Sequence, residues 1–169
     1  YVASLADGVS SEMRWIPIAT TFEYTMAYLA NDGTRFYFMT NKDAPNYRIV
    51  AVDVDPSTAQ VVPHVTQLRG GAAAFHEVLP ADPVAILTAA TVVDTDKLLV
   101  VYSRDVKDEL WLYDLRTGKQ RERLLPELVG TIGQIAARRE DREAFVSSVS
   151  FANPGRIERV SFEGGAPAV

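Results

Sequence analysis

The chain has 169 residues, a formal net charge of −5 and a pI near 5.0, with 47% hydrophobic and 23% charged residues. That balance describes a globular domain large enough to bury a core, and its acidity argues against a nucleic-acid partner, for which a basic face is usual. The absence of cysteine excludes disulfides, thiol chemistry and cysteine zinc sites and is compatible with a reducing cytoplasm; no apolar run approaches the ~20 residues of a membrane helix, and the first residues do not show the basic region and apolar core expected of a signal peptide.

Short β-rich runs separated by turn clusters occupy the chain, and no window sustains a helical apolar period. The predicted strands are, in order, Tyr1 to Leu5, Arg14 to Ile18, Tyr24 to Ala30, Arg35 to Thr40, Tyr47 to Val54, Phe75 to Leu79, Ala85 to Val93, Leu98 to Ser103, Leu110 to Leu115, Gln120 to Leu124, Gly130 to Ala136, Ala144 to Ser150 and Ile157 to Phe162. Turns are expected at Asn31-Asp32-Gly33, Asp43 to Asn46, Asp55-Pro56-Ser57, Asp94 to Lys97, Arg116-Thr117-Gly118, Arg138 to Arg142 and Asn153-Pro154-Gly155, where Gly, Pro, Asn or Asp supplies the backbone angle a turn needs. Gln60 to Ala74 reads as a long loop, and within it Leu68 to Ala74, with paired glycines and three alanines, reads as mobile. Tyr1 begins in mid-strand without an initiator Met, and Gly164 to Val169 stops where another strand is expected. Both ends predict a piece of a longer protein.

Grouping the strands in fours exposes a weak repeat. The third strand of each group ends Val52-Asp53-Val54, Tyr113-Asp114-Leu115 and Val160-Ser161-Phe162, and a turn follows each. The spacings are 61 residues from Asp53 to Asp114 and 47 from Asp114 to Ser161; the second fits a four-stranded propeller blade. The expected fold is therefore all-β, a propeller fragment of three to four blades. Residues 1–21 supply outer strands of one blade, 22–79 and 80–125 form two complete blades, and 126–169 begin a further one. A closed propeller needs ~4 to 8 blades, so further blades are expected outside this chain.

The segment Thr40-Asn41-Lys42-Asp43-Ala44-Pro45-Asn46-Tyr47-Arg48 resembles the propeller of prolyl oligopeptidases, serine peptidases that cut short peptides after proline. Four more stretches resemble it in the same order: Arg14-Trp15 through Phe22, Tyr102 to Leu110 with Leu112 to Leu115, Val129 to Gly133, and Ser150 to Ile157. The resemblance implies the later blades of a seven-bladed propeller, joined in the parent protein to an α/β-hydrolase domain that holds a Ser-Asp-His triad. It also implies that the propeller covers the active site and admits only short peptides. The family's substrate-touching propeller residues belong to earlier blades, and none is carried over.

Tested for chemistry of its own, the sequence yields no catalytic, cofactor-binding or metal-ligating residue. The Gly-x-Ser-x-Gly elbow of an acyl-transfer serine is missing, and Ser147, Ser148 and Ser150 read as strand or turn hydroxyls. His64 and His76 have no partner at ligand spacing. Asp53-x-Asp55 lacks the rest of a calcium loop, so Asp55-Pro56-Ser57 reads as a side-chain-capped turn. Gly130-x-x-Gly133 lacks the lysine of a phosphate loop and reads as the start of an innermost strand where blades crowd. Trp15 and Trp111 are expected in inter-blade packing, and Arg138 to Glu143 as a solvated loop of mixed charge. The expected partners are the hydrolase domain, the remaining blades and short proline-containing peptides. A protein-binding propeller scaffold and a macrocyclising prolyl oligopeptidase are the alternatives, although the Gly-His and Trp-Asp marks of a WD40 scaffold are absent.

Overall fold

The computed structural model describes residues 1–3, 9, 11, 15–19, 21–55, 57, 60–61 and 75–162, and every regular element among them is a β-strand. They fall in two compact units, Tyr1–Pro80 and Ala81–Val169. The first unit holds β1 (Met26–Asp32), β2 (Arg35–Thr40), β3 (Arg48–Asp55), β4 (Gln60–Val61) and β5 (Phe75–Leu79). Antiparallel pairing runs β1-β2-β3-β5, with β4 folded back on the end of β3. Ile49 to Val52 are buried on both faces of the sheet, which is why β3 is apolar without alternation. Phe38, Val50, Val52 and Phe75 form one core face, and Tyr28 meets Phe38 edge-on at 6.0 Å. Nearer the chain start, Val2 and Ile16 make a single antiparallel bridge.

The second unit contains two sheets. One comprises β6 (Ile86–Val93), β7 (Lys97–Arg104), β8 (Lys107–Asp114) and β9 (Gln120–Leu124) in sequence order; the other comprises β10 (Thr131–Ala136), β11 (Glu143–Ser150) and β12 (Asn153–Ser161). Leu99, Val101, Leu110, Leu112 and Leu124 of the first pack with Ala144, Val146 and Val160 of the second in one buried cluster. Alternation sets these contacts, since one face of β11 is buried at Ala144, Val146 and Ser148 while Phe145 and Val149 on the other are exposed.

The three sheets repeat the same register. Arg35 opposes Asp53, Lys97 opposes Asp114, and Glu143 opposes Ser161, so the third-strand endings aligned by sequence occupy equivalent positions. The next residue in each case, Val54, Leu115 or Phe162, donates its N–H to the carbonyl just before the second strand, Thr34, Asp96 or Arg142, at 3.0, 2.8 and 2.9 Å. Each first strand also carries a one-residue register shift against the second, skipping Leu29, Thr88 and Gly133. Such bulges bend a strand and increase its twist. The result is an all-β propeller segment built from a single repeated sheet.

Several boundaries differ from the sequence reading. Gln60–Val61, assigned to a loop, pairs with Val54 and Asp55; Tyr24 and Ala85 lie just outside β1 and β6. Asn153-Pro154-Gly155 is not the turn, which falls at Phe151 and Ala152 because Ser150 pairs with Asn153. Pro154 is tolerated there because β12 is the last strand in its sheet among the described residues and the ladder shifts register at this point. The hairpin between β7 and β8 turns on Asp105-Val106, a pair with no Gly or Asn to announce it. Leu5, Arg14, His64 and most of Gln60 to Ala74 lie outside the described residues.

Asp114 anchors the turn after β8. Burial alone would push its carboxyl up, but the Arg121 guanidinium at 2.8 Å and hydrogen bonds from Thr117 and Arg116 outweigh that and bring it down to about 2. A carboxyl lower in the folded than in the unfolded chain stabilises fully above its ordinary range and loses that contribution as pH falls through the folded value. Conversion at about 1.4 kcal/mol per pH unit, discounted because the side chain is 24% exposed, gives about 1–2 kcal/mol. Asp114→Asn is expected to lower stability by about that much at pH 7 and to weaken the acid dependence between pH 4 and 2; chemical denaturation across that range measures both.

Candidate functional site

The two sheets of the second unit are stitched at both ends. At one end the buried Asp108 donates its N–H to Gly130 O at 2.9 Å and accepts from Ile132 N–H through Oδ2 at 2.8 Å. At the other, Asp94 N–H reaches Asp141 O at 3.0 Å and Thr95 N–H reaches Arg139 O at 2.7 Å. Lys97 Nζ donates both to Asp94 and to Phe162 O. The Arg138 to Glu143 run read as a solvated loop thus supplies backbone acceptors to the seam, a role its side chains give no sign of.

Between these ends residues 122–129 face β11 and β12 across a groove of about 810 Å³. Leu124, Leu125, Phe145, Val149 and Ile157 give it apolar walls, and Glu127, Arg156 and Glu158 contribute charge. Nothing in the sequence marks this groove, because it forms where residues 122–129 pass β11 and β12 and not at a motif.

The residues singled out by sequence are dispersed. Ser147 Oγ donates to Gln134 O at 3.4 Å, Ser150 Oγ accepts from Asn153 N–H at 3.1 Å, and Ser148 is buried; these are strand and turn roles. His76 lies on β5 in the other unit. Asp53 is held by Arg35 through bonds of 2.7 and 2.8 Å, and Asp55 accepts from Ser57 N–H and Oγ–H at 2.8 and 2.6 Å, a capped turn. Among the described residues no group of three or more His, Cys, Asp or Glu could hold a metal ion. Trp15 and Trp111 depart from the expected core packing. Trp15 is 59% exposed, whereas Trp111 donates from Nε1 to Glu109 at 3.0 Å with Arg123 over its ring.

The whole chain, residues 1–169, matches the prolyl oligopeptidase N-terminal beta-propeller domain. It belongs to that family. It is 30% identical to "Prolyl oligopeptidase A" of Amanita bisporigera over 164 residues, 96% of the chain and 19% of the relative. It is 29% identical to "Prolyl oligopeptidase ophP" of Omphalotus olearius over 154 residues, 91% of the chain and 19% of the relative. The solved structure of prolyl oligopeptidase B from Galerina marginata without ligand superposes with a TM-score of 0.80 at 28% identity, covering 96% of the chain and 21% of that protein. The chain thus spans about a fifth of the length of the prolyl oligopeptidases it matches.

Within this propeller segment Gly130 is the most constrained joint. It precedes β10 at φ +149, and a Cβ there would lie 2.2 Å from Val149 O. A Cβ on Gly133 would instead meet the Ser147 hydroxyl at 3.3 Å, which can rotate away. Gly130→Ala is expected to destabilise the protein by about 3 kcal/mol or more through backbone strain and displacement of the Asp108 bonds, and Gly133→Ala by less than about 1 kcal/mol. Denaturant unfolding of the two variants side by side tests the contrast.

Proposed function

We propose that this chain is the non-catalytic propeller portion of a prolyl oligopeptidase-like serine endopeptidase, and that it limits access to short peptides while a hydrolase domain cleaves them after proline. The carrying observation is that a chain of this family repeats one sheet three times, each with a bulged first strand of low charge. β6 and β10 contain no charged residue, and β1 has only Asp32 at its end. Innermost strands of a propeller surround its central channel, and uncharged ones in that place would select by width and exclude a folded chain sterically. The parent's short proline-containing substrates, its other blades and a cytoplasmic location belong to the same reading.

The test is cleavage by the full-length protein. A short peptide with an internal proline is expected to be cut, and the same sequence fixed in a loop of a stable folded protein to be cut far more slowly; equal rates would count against gating. The purified 169-residue chain is expected to leave the peptide intact, and cleavage abolished by a serine-directed inhibitor would overturn that assignment.

A second reading has its own support, because a relative 28% identical over 163 residues carries the name "Dual function macrocyclase-peptidase POPB". Mass spectrometry of products from a longer peptide separates the two, since a macrocycle lacks the water that hydrolysis adds.

A further inference from the structure

Among the described residues glycine follows aspartate once, at Asp32-Gly33 in the hairpin that joins β1 to β2. An amide nitrogen that follows aspartate lies within reach of the side-chain Cγ and can close a five-membered ring with it. Glycine favours that closure, because it has no Cβ to crowd the nitrogen and its backbone takes a wider range of angles.

The turn leaves this nitrogen open to the reaction. Asp32, Gly33 and Thr34 are all exposed, Gly33 adopts φ +58, and nothing lies within 4 Å of the place a Cβ would take. Asp32 pairs with Arg35 in the ladder, so the two-residue loop begins at Gly33, and no described residue accepts a hydrogen bond from its N–H. The two loop carbonyls, by contrast, are engaged: Asn31 Nδ2 donates to Gly33 O at 3.1 Å, and Val54 N–H donates to Thr34 O at 3.0 Å. A second two-residue loop supplies the comparison. Between β7 and β8 the exposed Asp105 is followed by Val106, whose branched side chain shields the nitrogen.

We propose that Asp32 is a site of spontaneous isomerisation to isoaspartate. Gly33 N attacks Cγ of the Asp32 carboxylic acid; the N–Cγ bond forms and a C–O bond breaks with loss of water, leaving a succinimide. Water then adds to one of the two ring carbonyls. Addition at Cγ restores aspartate, whereas addition at the former backbone carbonyl routes the main chain through Cβ and leaves the α-carboxylate as the side group. One water is lost and one regained, so the mass is unchanged. The product has a structural consequence, because the main chain gains one carbon inside the hairpin. That carbon has to displace either the Asp32–Arg35 rung or Thr34 O, the acceptor of the bond that recurs in all three sheets, and a displaced rung disturbs the register. Arg35 next to it also holds Asp53. A methyltransferase that recognises isoaspartyl α-carboxylates and draws its methyl group from S-adenosylmethionine is the class of enzyme that takes such a product as substrate.

The test is prolonged incubation of the folded full-length protein at neutral pH and physiological temperature. Proteolytic digestion and electron-transfer fragmentation then tell isoaspartate from aspartate at equal mass. Isoaspartate at position 32 is expected to exceed that at position 105 by roughly tenfold or more, since Gly33 lacks the shielding that Val106 gives. Labelled methyl from S-adenosylmethionine, transferred by an isoaspartyl methyltransferase, is expected to enter the peptide that holds position 32. Asp32→Glu, whose ring would need six members, should abolish both signals in that peptide, and Asp32→Ser serves the same purpose if the longer side chain disturbs the hairpin. Conversion at 32 no greater than at 105 would overturn the proposal, as would methyl incorporation that persists in the same peptide of both variants. The isomerised fraction, separated by chromatography, is expected to unfold at a lower denaturant concentration than the fresh protein; equal midpoints would overturn the structural consequence.

Discussion

The structure depends on how the first strand of each sheet is joined to the second. Leu29, Thr88 and Gly133 are skipped in otherwise regular ladders, and the added twist from each bulge is carried outward through the remaining strands. Twisted sheets in the same register can nest, as the buried cluster from Leu99 and Leu112 to Val146 and Val160 shows for the second unit. The repeated bond from Val54, Leu115 or Phe162 to the residue before the second strand fixes the opposite end of each sheet. Bulge and bond together hold the register that puts apolar side chains on the correct face, since a slip of one residue would invert every strand.

Much of this was legible in the sequence because turn chemistry and strand length coincide. Asp94 to Lys97, Arg116-Thr117-Gly118 and Asp43 to Asn46 announce their turns, and the repeated third-strand endings are equivalent by register. The turn at Asp105-Val106 was not legible, because valine at positive φ contradicts the local rule. Asn153-Pro154-Gly155 misled for the converse reason, since it has the composition of a turn but begins the last strand of its sheet among the described residues, at a point where the ladder shifts register. Trp15 and Trp111 illustrate the limit of residue type as a guide to burial, because an indole with Glu109 and Arg123 as neighbours is satisfied without entering the core.

The candidate site was less legible for a physical reason. No single motif builds it: the groove arises where residues 122–129 pass β11 and β12, and the seam uses carbonyls of Gly130, Arg139 and Asp141 that any residue could supply. Backbone acceptors and the passage of one segment beside another leave little trace in side-chain identity. Gly130 is the exception, because the carbonyl of Val149 occupies the space a Cβ would need, and there the sequence reading of crowding at an innermost strand has a direct structural cause.

A division of labour follows from how charge is distributed over the repeated sheet. The first strands are almost free of charge, one end of the second unit is apolar, and ionic residues concentrate at the opposite end and along β8 and β9. The Lys97–Asp94 pair is largely buried and Lys97 also donates to Phe162 O, so with Arg142 at its outer side the cluster places a carbonyl and a loop against each other. A blade arranged this way keeps its ionic side chains at one end of the sheet and its exposed apolar ones at the other, so the two ends meet their surroundings with different chemistry.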